Sequence, residues 1–180
     1  QEECDNVRYV EEIFDNVNVT SNVLFGGNYN PNIWGQNEFQ DLYLDIYEPA
    51  GDDLEDRPLV FFLYGGSFVA GSKTNGDVVE LCTRYAKMGY VAAAIDYRLT
   101  TDLIWFSNEE TAYKATTKAM HDLKGAIRWF RKNDANENEY RIDSDRIYAG
   151  GISAGGITVV NAAYLNEESD SVDLVNALKK

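Results

Sequence analysis

Gly151-Ile152-Ser153-Ala154-Gly155 places one serine between two glycines, straight after a short apolar run and straight before a stretch of helical character. Such a serine marks a sharp strand-to-helix turn, where the backbone brings strand and helix too close for larger side chains two positions to either side. A chain carrying this turn is committed to at least one strand–helix unit, and the rest of the sequence repeats that unit. Leu59-Val60-Phe61-Phe62-Leu63-Tyr64 has no polar face, the pattern of a strand buried on both sides of a parallel sheet. Tyr90-Val91-Ala92-Ala93-Ala94-Ile95 follows the same pattern, and Arg146-Ile147-Tyr148-Ala149-Gly150 is the strand that enters the serine turn.

Helical spacing lies between these strands. Val78, Val79, Leu81, Cys82, Tyr85 and Met88 predict a helix over Asp77 to Met88, with Gly89 as its stop. Ala119, Met120, Leu123, Ala126, Ile127 and Phe130 form the apolar stripe of a longer helix from about Glu109 to Asn133. A third helix leaves the serine turn from Ala154 to about Leu165, and Val172 to Lys180 is a further short helix or an ending without structure.

Ahead of the first buried strand, a helical or irregular lead gives way to Val17-Asn18-Val19-Thr20 and Asn22-Val23-Leu24-Phe25, which alternate as an edge strand does. Asp41 to Tyr47 alternates strictly and predicts a strand with one wet face. Gly26 to Asn32 is dense in turn formers and is expected to be a surface loop, while Pro49 to Pro58 and Asp143 to Arg146 are expected to turn. The resulting order implies an α/β fold over residues 1–180, with antiparallel strands at the N-terminal edge, then parallel strands joined by right-handed crossover helices. Residues 1–16 read as a polar tail. Gly65-Gly66-Ser67, Asp96-Tyr97-Arg98 and Ser153 then gather at the carboxyl ends of the strands, where such sheets bind ligands.

Sixteen basic against thirty acidic residues give a formal net charge of −14, which repels phosphate backbones and excludes nucleic acid as an expected partner. No apolar run reaches the roughly 20 residues that span a bilayer. The chain starts at Gln1 with a polar, acidic tail, as a mature secreted protein would, so a secreted or periplasmic location is expected. Cys4 and Cys82 are read as one disulfide tying that tail to the first helix; the alternative is two independent thiols with Cys82 packed in the core.

Metal and cofactor readings fail on particular residues. Asn28, Asn30 and Asn32 have the alternate spacing of a calcium loop, but Ile33 stands where its glycine belongs and Phe39 where its bidentate glutamate belongs. Gly151 and Gly156 have phosphate-loop spacing, but Ile157 follows where lysine is needed. No metal or cofactor is expected. The G-x-S-x-G pattern instead fits a nucleophile elbow: Ser153 attacks a carbonyl, and backbone N–H groups from Ala154 and the Gly65-Gly66-Ser67 loop hold the oxyanion that forms.

With these residues in place, the sequence resembles the α/β-hydrolase family, and within it the carboxylesterases and hormone-sensitive-lipase-like esterases. The resemblance rests on Tyr64-Gly65-Gly66-Ser67-Phe68, Asp96-Tyr97-Arg98-Leu99 and Gly151-Ile152-Ser153-Ala154-Gly155-Gly156, and it spans about Asp41 to Leu165. It implies that Ser153 is the nucleophile, that Gly66, Ser67 and Ala154 donate the oxyanion N–H groups, that Gly151 and Gly155 make room at the elbow, and that Arg98, beside Asp96, is structural. Ser67 replaces the last glycine of the family's loop and is expected to narrow the acyl site.

The family orders its triad as Ser, acid, His, but the only histidine, His121, lies upstream of Ser153 inside a predicted helix. Glu167, Glu168, Asp170 and Asp173 follow the serine in a polar segment that could not orient a base. The chain is therefore read as the N-terminal part of a serine carboxylic ester hydrolase, inactive by itself. Its sheet would be completed by a C-terminal fragment or a second chain, or would self-associate through the open edge beside Ser153. Two other readings stand beside this one: a non-catalytic binding or adhesion module with Trp34, Trp105 and Phe106 as contacts, and a peptidase on the same fold.

Overall fold

A computed structural model describes residues 7–104 and 108–165. Its elements run β1 (Val17–Pro31), β2 (Asn37–Pro49), β3 (Arg57–Leu63), α1 (Gly76–Lys87), β4 (Val91–Ile95), α2 (Glu109–Asp134), β5 (Ile142–Gly151) and α3 (Ala154–Tyr164). The described strands form one sheet in the order β1-β2-β4-β3-β5. β1 and β2 are antiparallel, β2 meets β4 antiparallel, and β3 pairs parallel with both β4 and β5. This is the expected mixed α/β sheet.

The apolar runs occupy its centre because a parallel strand with helices on both faces has no wet side. Every residue of β3 and of β4 is buried. Neighbours along a strand point to opposite faces, and β3 shows which helix covers which: Phe61 meets Phe130 of α2 with ring centroids 5.5 Å apart, while Phe62 meets Tyr85 of α1 at 4.9 Å. α1 therefore covers one face and α2 the other, with α3 packed beside α2 against β3 and β5. At the carboxyl ends of β3 and β4, Tyr64 and Tyr97 stack with centroids 4.3 Å apart and are cross-bonded, the Tyr97 hydroxyl donating to Tyr64 O at 2.8 Å.

The strand expected over Asp41 to Tyr47 extends to Asn37–Pro49, and two further segments change their character. Gly26 to Pro31 is not a loop but the second half of β1, paired from Gly26↔Leu42 to Pro31↔Asn37, and the turn comes later, where Asn32 Oδ1 accepts from Trp34 N and Gln36 N. A partner strand of matching length outweighs the turn preference of Gly and Asn, which survives only as register shifts between Thr20 and Val23 and between Leu24 and Gly26. Asp143 to Arg146 likewise lies inside β5, where its turn character becomes a bulge: Pro58 pairs with Asp143 and Leu59 already with Ile147.

The expected disulfide is not seen. Cys82 is a free thiol buried on α1, and Cys4 lies outside the described residues. Burial first, and then the Asp45 charge, push the Cys82 thiol well above the usual cysteine range. Trp105, Phe106 and the segment after Leu165 also lie outside the described residues, whereas Trp34 is exposed at the β1–β2 turn.

Candidate active site

β5 ends at Gly151, α3 begins at Ala154, and only Ile152 and Ser153 lie between them. Ser153 has φ 51° and ψ −113°, a backbone conformation that L-residues rarely occupy and that costs on the order of 1–3 kcal/mol. Surrounding contacts hold it there. Ile152 N donates to Leu63 O at 3.0 Å, Gly155 N to Ile152 O at 2.9 Å and Ile157 N to Ser153 O at 3.0 Å, so strand, turn and helix are pinned on both sides of the serine.

The flanking glycines are sterically required. A Cβ on Gly151 would lie 2.3 Å from Gly155 C, and one on Gly155 would lie 2.3 Å from Leu63 O. Gly156 is different, since the nearest atom to an added Cβ is Gly151 O at 3.1 Å. The turn thus carries the strain and the two close approaches that the G-x-S-x-G spacing predicts.

The Gly65-Gly66-Ser67 loop reaches the same place from β3. A Cβ on Gly65 would sit 3.2 Å from Ser153 Cβ, which puts this loop against the serine. Gly66 has φ 132°, and a Cβ there would come within 2.1 Å of Ala70 O, so only glycine fits. Ser67 and Phe68 follow at φ 53° and 59°. Ser67, the departure from the family's third glycine, therefore occupies left-handed backbone that glycine adopts freely and serine only with strain.

Gly66 O accepts from Val69 N and Ala70 N at 3.1 Å, and Phe68 O accepts from Thr100 N at 2.7 Å. The N–H groups of Gly66, Ser67 and Ala154 have no backbone acceptor among the described residues. Three unspent donors beside one serine, one of them opening a helix whose dipole favours negative charge, can hold a developing oxyanion.

Asp96 and Arg98 brace the neighbouring turn. Asp96 Oδ1 accepts from Lys73 N at 2.9 Å, and burial raises the Asp96 pKa against the opposing effect of that bond. Arg98 is buried; its Nε donates to both carboxylate oxygens of Asp122 at 3.0 Å, and its Nη1 donates to Tyr29 O at 2.9 Å. One arginine thereby ties the end of β4 to α2 and to β1. Sequence reasoning missed Asp122 as its partner. The available signal was an acid at position 122, between the apolar residues Met120, Leu123 and Ala126 of the helix stripe, where an unpaired carboxylate would be costly.

No described side chain hydrogen-bonds Ser153 Oγ. His121 is not brought to it: this residue is exposed on α2 and lines two cavities between α2 and β1, the strand at the opposite end of the sheet order from β5. The described residues include no cluster of three or more His, Cys, Asp or Glu placed to hold a metal, and none of their helices is long and apolar enough to cross a membrane.

The sheet order, elbow and glycine loop agree with what the chain is similar to. The BD-FAE family model matches residues 44–179. Among curated relatives, a pyrethroid hydrolase, Ces2a, of Mus musculus is 34% identical over 119 residues, covering 66% of this chain and 20% of its own length. Lipase 1 of Geotrichum candidum is 32% identical over 127 residues, covering 67% and 21%. Among solved structures, Thermogutta terrifontis esterase 2 phosphorylated by paraoxon superposes with a TM-score of 0.57 at 26% identity, over 82% of this chain and 47% of that one. The chain thus spans about a fifth of the length of these curated relatives and about half of that structural neighbour. It belongs to the BD-FAE family of α/β-hydrolases, among the carboxylesterase- and lipase-like hydrolases.

Proposed function

We propose that this chain is the nucleophile-bearing part of a serine carboxylic ester hydrolase that works through an acyl-enzyme on Ser153. The single observation that carries the reading is the strained Ser153 held against a loop with free N–H groups at Gly66, Ser67 and Ala154. In the proposed reaction, Ser153 Oγ attacks the ester carbonyl and a base takes its proton. The carbonyl oxygen becomes an oxyanion facing those three donors, the alcohol leaves with the proton, and water then releases the acid by the same route. The chain supplies the nucleophile and the oxyanion donors. The acid and histidine are proposed to come from further sequence or from a second chain, and without them the serine is a weak nucleophile. The likeness to a Thermogutta terrifontis esterase phosphorylated by paraoxon supports a nucleophilic mechanism for this chain.

The test is turnover of a nitrophenyl ester and of a peptide anilide, both by a longer protein containing this chain and by the 180 residues alone. The longer protein is expected to cleave the ester and not the anilide, to lose roughly 10³-fold or more of that activity on Ser153→Ala, and to exceed the isolated chain by a comparable factor. Anilide cleavage with the ester untouched would replace the esterase with the peptidase. Ester cleavage unchanged in the alanine variant would remove Ser153 from the mechanism.

A further inference from the structure

The long helix α2 concentrates positive charge on a molecule that is otherwise strongly acidic. α2 carries Lys114, Lys118, Lys124, Arg128, Arg131 and Lys132, six of the sixteen basic residues of a chain with net charge −14. Near the N-terminal end of that helix, a cavity of about 420 Å³ opens between α2, β1 and the Thr100–Asp102 turn after β4. Its polar lining includes the cations Arg98, Lys114 and Lys118, the carboxylate of Asp102, the imidazole of His121 and the amide of Asn28, with threonines between them.

The charges around this cavity do not cancel at Lys118. Arg98 is matched by Asp122, and Lys114 by Glu110 four residues earlier. Asp102 turns its carboxylate to Ile104 N at 3.0 Å and forms no ion pair among the described residues. Among the described residues, Lys118 Nζ donates only to neutral acceptors, Asn30 Oδ1 at 2.8 Å and Leu99 O at 3.3 Å, which leaves its third N–H for the cavity. Burial first, and then the neighbouring Arg98 charge, hold Lys118 below the ordinary lysine pKa, with Asp122 acting the other way. A half-buried ammonium without an ion-pair partner, beside a guanidinium already matched by Asp122 and among hydroxyl and amide groups, has capacity for an anionic partner.

We infer that this cavity binds a small oxyanion, the carboxylate or phosphate group of a compact solute, with Lys118 as its direct ion-pair partner and Lys114 at its mouth. The basic face of α2 raises the local concentration of such anions on a chain that repels them elsewhere. Thr100, which lines the cavity, donates its N–H to Phe68 O in the loop that carries Ser67. The cavity thus lies one hydrogen bond away from the proposed oxyanion loop, and binding itself requires neither Ser153 nor ester turnover.

The experiment is calorimetric or NMR titration of the 180-residue chain with inorganic phosphate and, separately, with succinate, at ionic strength held constant with chloride. Saturable one-site binding of at least one of the two is expected, and the anion that binds identifies the class. Lys118→Gln should weaken it at least tenfold and Lys114→Gln several-fold, while Lys132→Gln, at the far end of the same helix, should change it less than twofold. Melting curves and circular dichroism establish that each variant is folded; should Lys118→Gln fail to fold, Lys114→Gln against Lys132→Gln decides. Absence of saturable binding by both anions overturns the proposal. So does equal weakening by Lys114→Gln and Lys132→Gln, which would leave only the diffuse charge of the helix.

Discussion

β3 and β5 are hydrogen-bonded neighbours in one sheet, yet all seven residues of β3 are buried and only one of the ten in β5 is. The difference lies in what surrounds them more than in their own residues. β3 has a strand on either side and a helix on either face, whereas among the described residues β5 has β3 on one side and no strand on the other. α3 repeats the contrast on its outer face, where Ile157, Val160 and Tyr164 are 46%, 58% and 79% exposed. The comparison separates two jobs. The centre of the sheet carries the stability, and the flank carries Ser153 on an edge and an apolar surface that nothing described covers.

The largest effect should fall in the centre. Phe61→Ala removes a fully buried ring that packs edge-on to Phe130, and is expected to cost about 3–5 kcal/mol, read as a loss of denaturant midpoint. A cost below about 1 kcal/mol would show that the centre is not the load-carrying half. Gly155→Ala comes next, since its Cβ would meet Leu63 O at 2.3 Å; about 1–3 kcal/mol of destabilisation is expected, with Gly156→Ala, one residue on and 3.1 Å from its nearest neighbour, as the milder control. Equal melting temperatures for the two would break the account of the elbow.

On the flank the expected sign differs. Val160→Lys paired with Tyr164→Ser should leave stability within about 0.5 kcal/mol, since both side chains are more than half in solvent already. In sedimentation velocity the unmodified 180-residue chain should associate as its concentration rises, through the open edge and this apolar face, and the double variant should shift toward monomer. A wild-type chain that stays monomeric throughout would show that the flank is benign. The smallest effect concerns Cys82. A fully buried thiol with a raised pKa should react with a thiol reagent far more slowly in native buffer than after denaturation, and equal rates would contradict its place in the core.

Much of this division was readable from residues. Leu59 to Tyr64 and Tyr90 to Ile95 have no polar face, which dictates burial on both sides, and the two glycines around Ser153 announce a close strand–helix approach. Two kinds of feature escaped, both because they depend on partners distant in sequence. Gly26 to Pro31 looks like a loop until β2 is laid beside it, and Asp122 looks like a surface acid until Arg98, 24 positions earlier, reaches it. Arg146-Ile147-Tyr148-Ala149-Gly150 resembles the buried strands in composition, yet Tyr148 is 55% exposed, because burial of a strand is set by its neighbours.

The most direct test of the central claim is covalent labelling. A longer protein that contains this chain and its proposed acid and histidine would be treated with a fluorophosphonate probe, digested, and mapped by mass spectrometry. The account predicts a single adduct on Ser153, absent in Ser153→Ala and absent in the folded 180-residue chain alone. An adduct on a different residue, or labelling undiminished in the alanine variant, would contradict it.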